Sequence, residues 1–337
     1  MVAAPLGFSF SPGTKEPIRY RRSSTVNRQP SNTHMKNILI ILCLSSIALT
    51  SCESFFSQTV EIDPPPYEKQ LSFHLNLSDQ DTVAEVILTR NFGILEYVPS
   101  QNQYLVYGGS VELLKNGQPW LALQPVSTDS SFLLSGTLPE PFQIGQTYTV
   151  RATHPDFPLV EATQVVPGDF QLDSAKVKRE AISGPFGDVY DLIDVYIQDA
   201  PGVRNYYEVK IFTLLFNIGE DPVTGEPDTI FFDSYNLYPE DFSDPSVLNG
   251  IQGGALFSDQ FFEGKTYKFQ AQVYANSNPY LIQVRNITED YYKWSRSYLE
   301  KLNSEENFLV EPISVFNNLK DGLGIFTLAR EKRIVIE

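Results

Sequence analysis

The chain has 337 residues, with 25 Lys and Arg against 41 Asp and Glu, a formal net charge of −16. That balance repels nucleic-acid phosphates and anionic membrane surfaces, so neither is an expected partner by Coulomb attraction. Two cysteines and three histidines leave little for thiolate or imidazole chemistry.

Residues 1–34 carry Pro, Ser, Arg and Asn with no apolar periodicity, and the chain's two methionines are Met1 and Met35. The simplest account makes Met35 the start and residues 1–34 an upstream extension of the reading frame. After Met35 and Lys36 comes an apolar run, Ile38 to Leu49. It has the length of a signal-peptide core and is too short to span a bilayer comfortably. It ends in Leu49-Thr50-Ser51-Cys52, which resembles the bacterial lipobox. The resemblance implies a lipoprotein signal over 35–51, removed ahead of Cys52, with fatty acyl chains such as palmitate on that cysteine. Two or more chains would hold it at a membrane stably. An ordinary secretory signal beside a chance cysteine, or a short buried helix, are the other accounts of the run.

Cleavage there leaves residues 52–337, with 19 basic and 40 acidic residues and a formal charge of −21. Cys43 leaves with the signal and Cys52 carries lipid, so neither a disulfide nor a thiolate metal site is expected. Only His74 and His154 remain of the histidines. No cofactor and no metal ligands are expected.

Residues 52–69 contain Pro64-Pro65-Pro66 and predict an extended tether. Leu71, Phe73, Leu75 and Leu77 then alternate with polar residues, a half-buried strand with His74 on its outward face. Strand-like runs follow at 82–89, 104–107, 110–114, 131–134, 148–152 and 159–166. Asn116-Gly117 between two apolar runs is a strong hairpin signal. The segment 148–167 reads as two strands joined through His154-Pro155-Asp156-Phe157-Pro158, a pattern similar to immunoglobulin-like modules of bacterial surface proteins. There the His154 ring is expected to cap or pack locally. Residues 70–167 are thus expected to form an immunoglobulin-like β-sandwich, with a boundary at Val166-Pro167-Gly168-Asp169.

The second region, 168–337, is expected to be a larger β-rich domain. Its strand runs fall at 170–177, 189–198, 206–217, 228–232, 266–275 and 280–286. One amphipathic helix is expected over about 288–303. Thr288 would cap it, Glu289 and Asp290 would favour its first turn, and Tyr291, Trp294, Tyr298 and Leu302 would line one face. A last strand region at 315–328 and an edge at 333–336 would close a mainly β chain.

Catalytic residues are not assigned. No Gly-x-Ser-x-Gly elbow, His-Glu-x-x-His helix or phosphate-binding glycine loop occurs. The acidic loops 219–228 and 239–244 lack the Asp-x-Asp-x-Asp-Gly order of calcium loops, and solvated loops explain them better. The aromatic residues Phe231, Phe232, Tyr235, Tyr238 and Phe242, set among acids and a proline, are the candidate partner or ligand contact, since aromatics mark interfaces. Covering an extended sheet is the plainer explanation of the same run.

Several segments together resemble the Bacteroidota lipoproteins grouped as domain of unknown function 4249. They are the Leu-Thr-Ser-Cys signal, Asp81-Thr82-Val83, Ile87-Leu88-Thr89-Arg90, Gly108 to Leu113 and the 148–167 hairpin. The ending adds Tyr291 to Leu302, Glu311-Pro312, Val315-Phe316-Asn317-Asn318 and Gly322-Leu323-Gly324-Ile325-Phe326. The resemblance implies a lipid-anchored protein of the cell outer membrane, on an undetermined face, working beside a TonB-dependent receptor. It brings no catalytic residues. A structural or adhesive sandwich protein is the alternative, and a surface hydrolase using two carboxylates is a third reading.

Overall fold

Alternating burial along Leu71–Ser78 puts Leu71, Phe73, Leu75 and Leu77 on one buried face, as their spacing predicts. The computed structural model describes residues 67–93, 96, 101–127, 131–214, 219–220, 227–228, 244–305 and 313–337. All of them fall within Pro64–Glu337, one compact unit.

The first half holds β1 (Leu71–Ser78), β2 (Val83–Ile87), β3 (Thr89–Arg90), β4 (Ser110–Lys115), β5 (Gln118–Ala122), β6 (Gln124–Pro125), β7 (Leu133–Thr137), β8 (Thr147–His154) and β9 (Phe157–Val165). The second holds β10 (Gln171–Ser183), β11 (Val189–Gln198), β12 (Tyr206–Thr213), β13 (Gly219–Glu220), β14 (Pro227–Asp228), β15 (Leu248–Asn249), β16 (Ala255–Ser258), β17 (Thr266–Tyr274) and β18 (Tyr280–Ile287). Helix α1 (Glu289–Glu305) and β19 (Leu323–Ile336) complete it. The chain is mainly β, with several sheets and one C-terminal helix, as the sequence indicates. Thr288 caps α1 as expected, its Oγ1 accepting from the Tyr291 amide at 3.4 Å.

A seven-stranded sheet runs β15-β16-β12-β18-β19-β1-β3. Smaller sheets run β10-β11-β17, β2-β7-β6 and β5-β4-β8-β9, and β13 pairs with β14. Two cores result. The first packs Leu71, Phe73, Leu75 and Leu77 of β1 and Phe326 and Leu328 of β19 against Val86, Leu134, Leu113, Tyr148, Val150 and Val160. The second packs Tyr207, Val209, Ile211, Tyr280, Ile282 and Val284 of the large sheet against Ile193, Val195, Ile197, Phe269, Ala271 and Val273. On the opposite face of the large sheet, Tyr291 of α1 meets Leu256, Ile287 and Ala329.

The expected boundary at 167/168 does not separate the sheets. β1 lies in the same sheet as β12, β16, β18 and β19. It pairs in parallel with the first half of β19, Ser72 opposite Leu323 through Ser78 opposite Ala329. The second half of β19 pairs antiparallel with β18, Ile287 opposite Ala329 through Tyr280 opposite Ile336. Alternation marks a strand and its buried face, but not its partner. For the same reason residues 333–336 are not a separate edge; they continue a strand paired on its inner side.

Other differences are local. The expected strand at 104–107 is a 3-10 turn, Gln101–Tyr104, followed by one bridge from Leu105 to Thr89. Residues 313–319 carry no strand, because the side chains of Asn317 and Asn318 take over backbone pairing. Asn318 accepts from the Phe326 amide at 2.9 Å and donates to the Phe326 carbonyl at 2.8 Å. Asn317 donates to the carbonyls of Leu319 and Gly322. β10 runs on to Ser183 through a bulge at Glu180, whose φ is 48°.

The Gly322-Leu323-Gly324 turn into β19 has a steric cause. Gly324 has φ 121°, and a Cβ there would collide with the Phe73 carbonyl oxygen. A Cβ on Gly322 would lie 2.6 Å from Val160 Cγ1. Gly324→Ala should therefore break the β1–β19 register and cost more than about 4 kcal/mol. Loss of a single cooperative transition in thermal unfolding followed by circular dichroism is the expected result; an unchanged Tm would contradict the register.

Candidate functional site

The sequence-predicted contact residues Phe231, Phe232, Tyr235, Tyr238 and Phe242 lie outside the described residues, as does Cys52. Of the acidic loops, the described parts are the β13–β14 rungs and Asp244. Asp244 accepts from the Ser246 amide and from Tyr267 Oη, at 2.8 Å each. Burial works to raise its pKa, but these donors hold it below the usual value. His154 packs locally as expected. Its Nδ1 accepts from the Asp156 amide at 3.1 Å and its ring meets Phe157 edge-on. His74 lies on the helix side of β1, its ring edge-on to Trp294 at 5.2 Å.

Beneath α1 a charged row crosses three strands. Glu208 of β12 stands opposite Arg285 of β18, and Arg285 opposite Glu331 of β19. All three are buried. Arg285 donates to Glu208 at 3.0 Å and to Asn76 of β1 at 2.8 Å, with Glu331 at 3.7 Å. Tyr291 Oη of the helix donates to Glu208 at 2.8 Å. Burial opposes the charge on Arg285, yet the two carboxylates hold its pKa above the usual value. Burial and the Glu208 charge push the Tyr291 hydroxyl far up, so it stays a donor. The row is a clamp between helix and sheet, with Lys210 at 3.7 Å from Glu208 and Arg333 at 2.5 Å from Glu331 at its two ends.

A second buried cluster leads to an opening. Asp199 accepts from Tyr207 Oη at 2.5 Å, from Asn205 Nδ2 at 3.1 Å and from the Gly264 amide at 2.7 Å. Asp259 accepts from the Asn205 amide at 2.6 Å. Burial raises the Asp259 pKa, the nearby Asp199 charge adds to it, and the Asn205 amide works against both. Asn205 Oδ1 in turn accepts from Asn286 Nδ2 at 3.0 Å. Asn286 lines a cleft of about 660 Å³ between β9 and the start of α1. Its walls are Thr163, Gln164 and Val165 on one side and Arg204, Tyr206, Thr288, Glu289 and Asp290 on the other. Gln164 reaches across to Asp290 at 2.6 Å.

This cleft is suited to holding a polar group beside apolar surface. Glu289 is paired with Lys293 at 2.9 Å, and Asp290 accepts from Gln164 and Asn318. The two acids are consecutive on one helix turn, so they do not face each other across a bond. Among the described residues no group of three His, Cys, Asp or Glu is placed to hold a metal ion. A second hollow, about 600 Å³, lies beside Ser72, His74, Glu85, Thr89 and Tyr104. The cleft residues escaped sequence reading because they converge from separate segments with no shared motif.

Fold and cleft define a β-sheet protein with a helix-covered face and an open groove at one strand edge. The sequence profile of the domain of unknown function DUF4249 matches residues 57–334, and the chain belongs to that family. No curated protein matches the chain. Among solved structures, a protein from Corynebacterium diphtheriae described as membrane anchored is 13% identical, over 79% of this chain and 61% of that one, with a TM-score of 0.20. Tripeptidyl peptidase 2 is 14% identical over 65% of this chain and 20% of its own, with a TM-score of 0.19. The chain thus spans less than two thirds of either, and the low scores carry no argument about its fold or activity.

Two predictions follow from the buried charges. Arg285→Met removes the buried cation shared by Glu208 and Glu331, leaving them Lys210 at 3.7 Å and Arg333 at 2.5 Å, and should cost about 3 kcal/mol in denaturant unfolding. A loss below about 1 kcal/mol would place the pair in solvent. The second concerns Asp191 of β11, which accepts from Arg179 and from Tyr280 Oη at 2.7 Å each, joining the two sheets of the second core. Burial works to raise its pKa, but these donors and the Glu180 amide hold it below the ordinary 3.8. The stabilisation is present above that value and disappears as pH falls through the lower folded value. Asp191→Asn should lower stability at neutral pH and flatten the acid limb of a Tm-against-pH curve; an unaltered acid limb would contradict this.

Proposed function

We propose that this chain is a lipid-anchored protein of the bacterial outer membrane that works by binding, as an accessory of a TonB-dependent receptor, in capturing or presenting a nutrient. The observation that carries the reading is the run from Met35 to Cys52: a basic start, an apolar core, small residues and then cysteine. The family match supports it, because it begins at residue 57, just past Cys52. The resemblance to Bacteroidota lipoproteins supplies the receptor. The formal charge of −21 on residues 52–337 makes acyl chains, rather than basic residues, the membrane contact. The carboxylates lining the cleft are held by donors, which favours recognition over proton transfer. The aromatic residues of 231–242 are assigned to the partner contact, since aromatic side chains are enriched in such interfaces.

Labelling cells with an alkyne analogue of palmitate and fractionating them tests the anchor. The wild type should take up label and sediment with outer membrane, and Cys52→Ala should lose both. Crosslinking intact cells that carry a tag after Glu337 tests the partner. A stoichiometric TonB-dependent receptor is the expected product, and recovery of the lipoprotein alone would favour the adhesive alternative.

A further inference from the structure

The edge of β9 borders the cleft with backbone groups that have no partner among the described residues. β8 pairs with it antiparallel, Arg151 opposite Glu161, Thr149 opposite Thr163 and Thr147 opposite Val165. Hydrogen-bonded and non-hydrogen-bonded pairs alternate along such a ladder. Glu161 uses its N–H and C=O on the far side, with Lys320, at 3.4 and 2.8 Å. Thr163 and Val165 share its orientation, so their N–H and C=O groups also point away from β8, on the side where the cleft lies. Lys320 adds one antiparallel rung to this edge; toward Thr163 the residues before it, Asn318 and Leu319, add no further rung, and the Asn318 side chain is turned to Phe326 and Asp290.

Around these open rungs the surface is apolar at its rim and polar at its floor. Ile144, Val165 and Val203 line the cleft at 43%, 51% and 67% exposure. On the floor Asn286 is 1% exposed. Its Nδ2 faces two acceptors, Gly168 O and Asn205 Oδ1, which fixes the amide's orientation. Its Oδ1 then has no donor among the described residues.

We propose that the cleft is a docking groove for an extended peptide segment of a partner protein, which adds a strand to β9 at Thr163 and Val165. Main-chain hydrogen bonds to those two residues give affinity, and alternate side chains give selectivity. The segment carries an apolar or β-branched residue against Ile144, Val165 and Val203, and a donor for Asn286 Oδ1. The chain's acidic balance selects a neutral or basic segment, while Arg204 and the pairing of Glu289 with Lys293 leave the facing wall itself near neutral. The same charge disfavours a second copy of this chain as the occupant. The inference rests on the reading of the chain as a binding partner and adds a second contact to the aromatic run at 231–242.

The test pans a phage library of short random peptides against the purified chain. Peptides that enrich should bind wild type and weaken by roughly tenfold or more on Val165→Pro. Proline there removes one outward N–H and no rung to β8, so the variant should keep its thermal transition. In wild type, the bound peptide should slow hydrogen exchange at the Thr163 and Val165 amides, a readout that needs no variant. Failure of any peptide to enrich, equal binding to Val165→Pro, or protection confined to other strands would overturn the proposal. So would maltose shifting the Asn286 side-chain resonance without protecting Thr163 and Val165, which would give the cleft to a small polyol. The panning uses protein away from its membrane, so its failure leaves the receptor crosslinking result standing.

Discussion

Everything described depends on the backbone hydrogen bonding of β19. Its first half is held by β1 and its second half by β18, so one strand belongs to both cores. On one face it contributes Phe326 and Leu328 to the first core and Ile334 to the second. Between them Arg330 and Lys332 interrupt the apolar run. Arg330 pairs with Asp79 and, at 3.3 Å, with Asp169; Lys332 pairs with Asp169 at 3.2 Å. Burial works to raise the Asp169 pKa, but the two cations hold it down. The two cores are therefore separated by a polar waist rather than by a flexible linker.

The opposite face of the same strand positions the helix. Ala329 is small enough for Tyr291 to approach, and Glu331 continues the charged row begun by Glu208 and Arg285. Removing a buried charge partner costs more than a surface pair contributes, so this row fixes where α1 can sit. The position of α1 in turn sets one wall of the cleft, through Thr288, Glu289 and Asp290. Groove geometry is thus coupled to the helix clamp through rigid elements.

Local chemistry was legible in the sequence, and long-range pairing was not. Val189–Gln198 is a strand with the expected limits, because its apolar alternation is sustained and bounded. Asn116 and Gly117 adopt φ 51° and 77°, the left-handed pair that their types favour in a tight hairpin. Thr288 caps α1 as its position predicts. By contrast, nothing in Leu71–Ser78 or Leu323–Ala329 states that the two are neighbours. Asn317 and Asn318 looked like part of a strand run and instead satisfy backbone groups with their side chains. The cleft was invisible for a related reason: Thr163, Arg204 and Asn286 carry no pattern until the fold brings them together. The proposed lipid on Cys52 and the proposed contact at 231–242 rest on sequence pattern alone.

The parallel pairing of β1 with β19 has a consequence for the order of events in the cell. Apart from a two-residue pairing with β3, the earliest described strand finds its partner near the far end of the chain, so a long loop closes before the first core is complete. Until then Leu71, Phe73, Leu75 and Leu77 pack on residues of β2 to β9 without Phe326 and Leu328 beside them. The fold therefore locks only after its last strand has arrived, so the tail of the chain decides when the head becomes rigid.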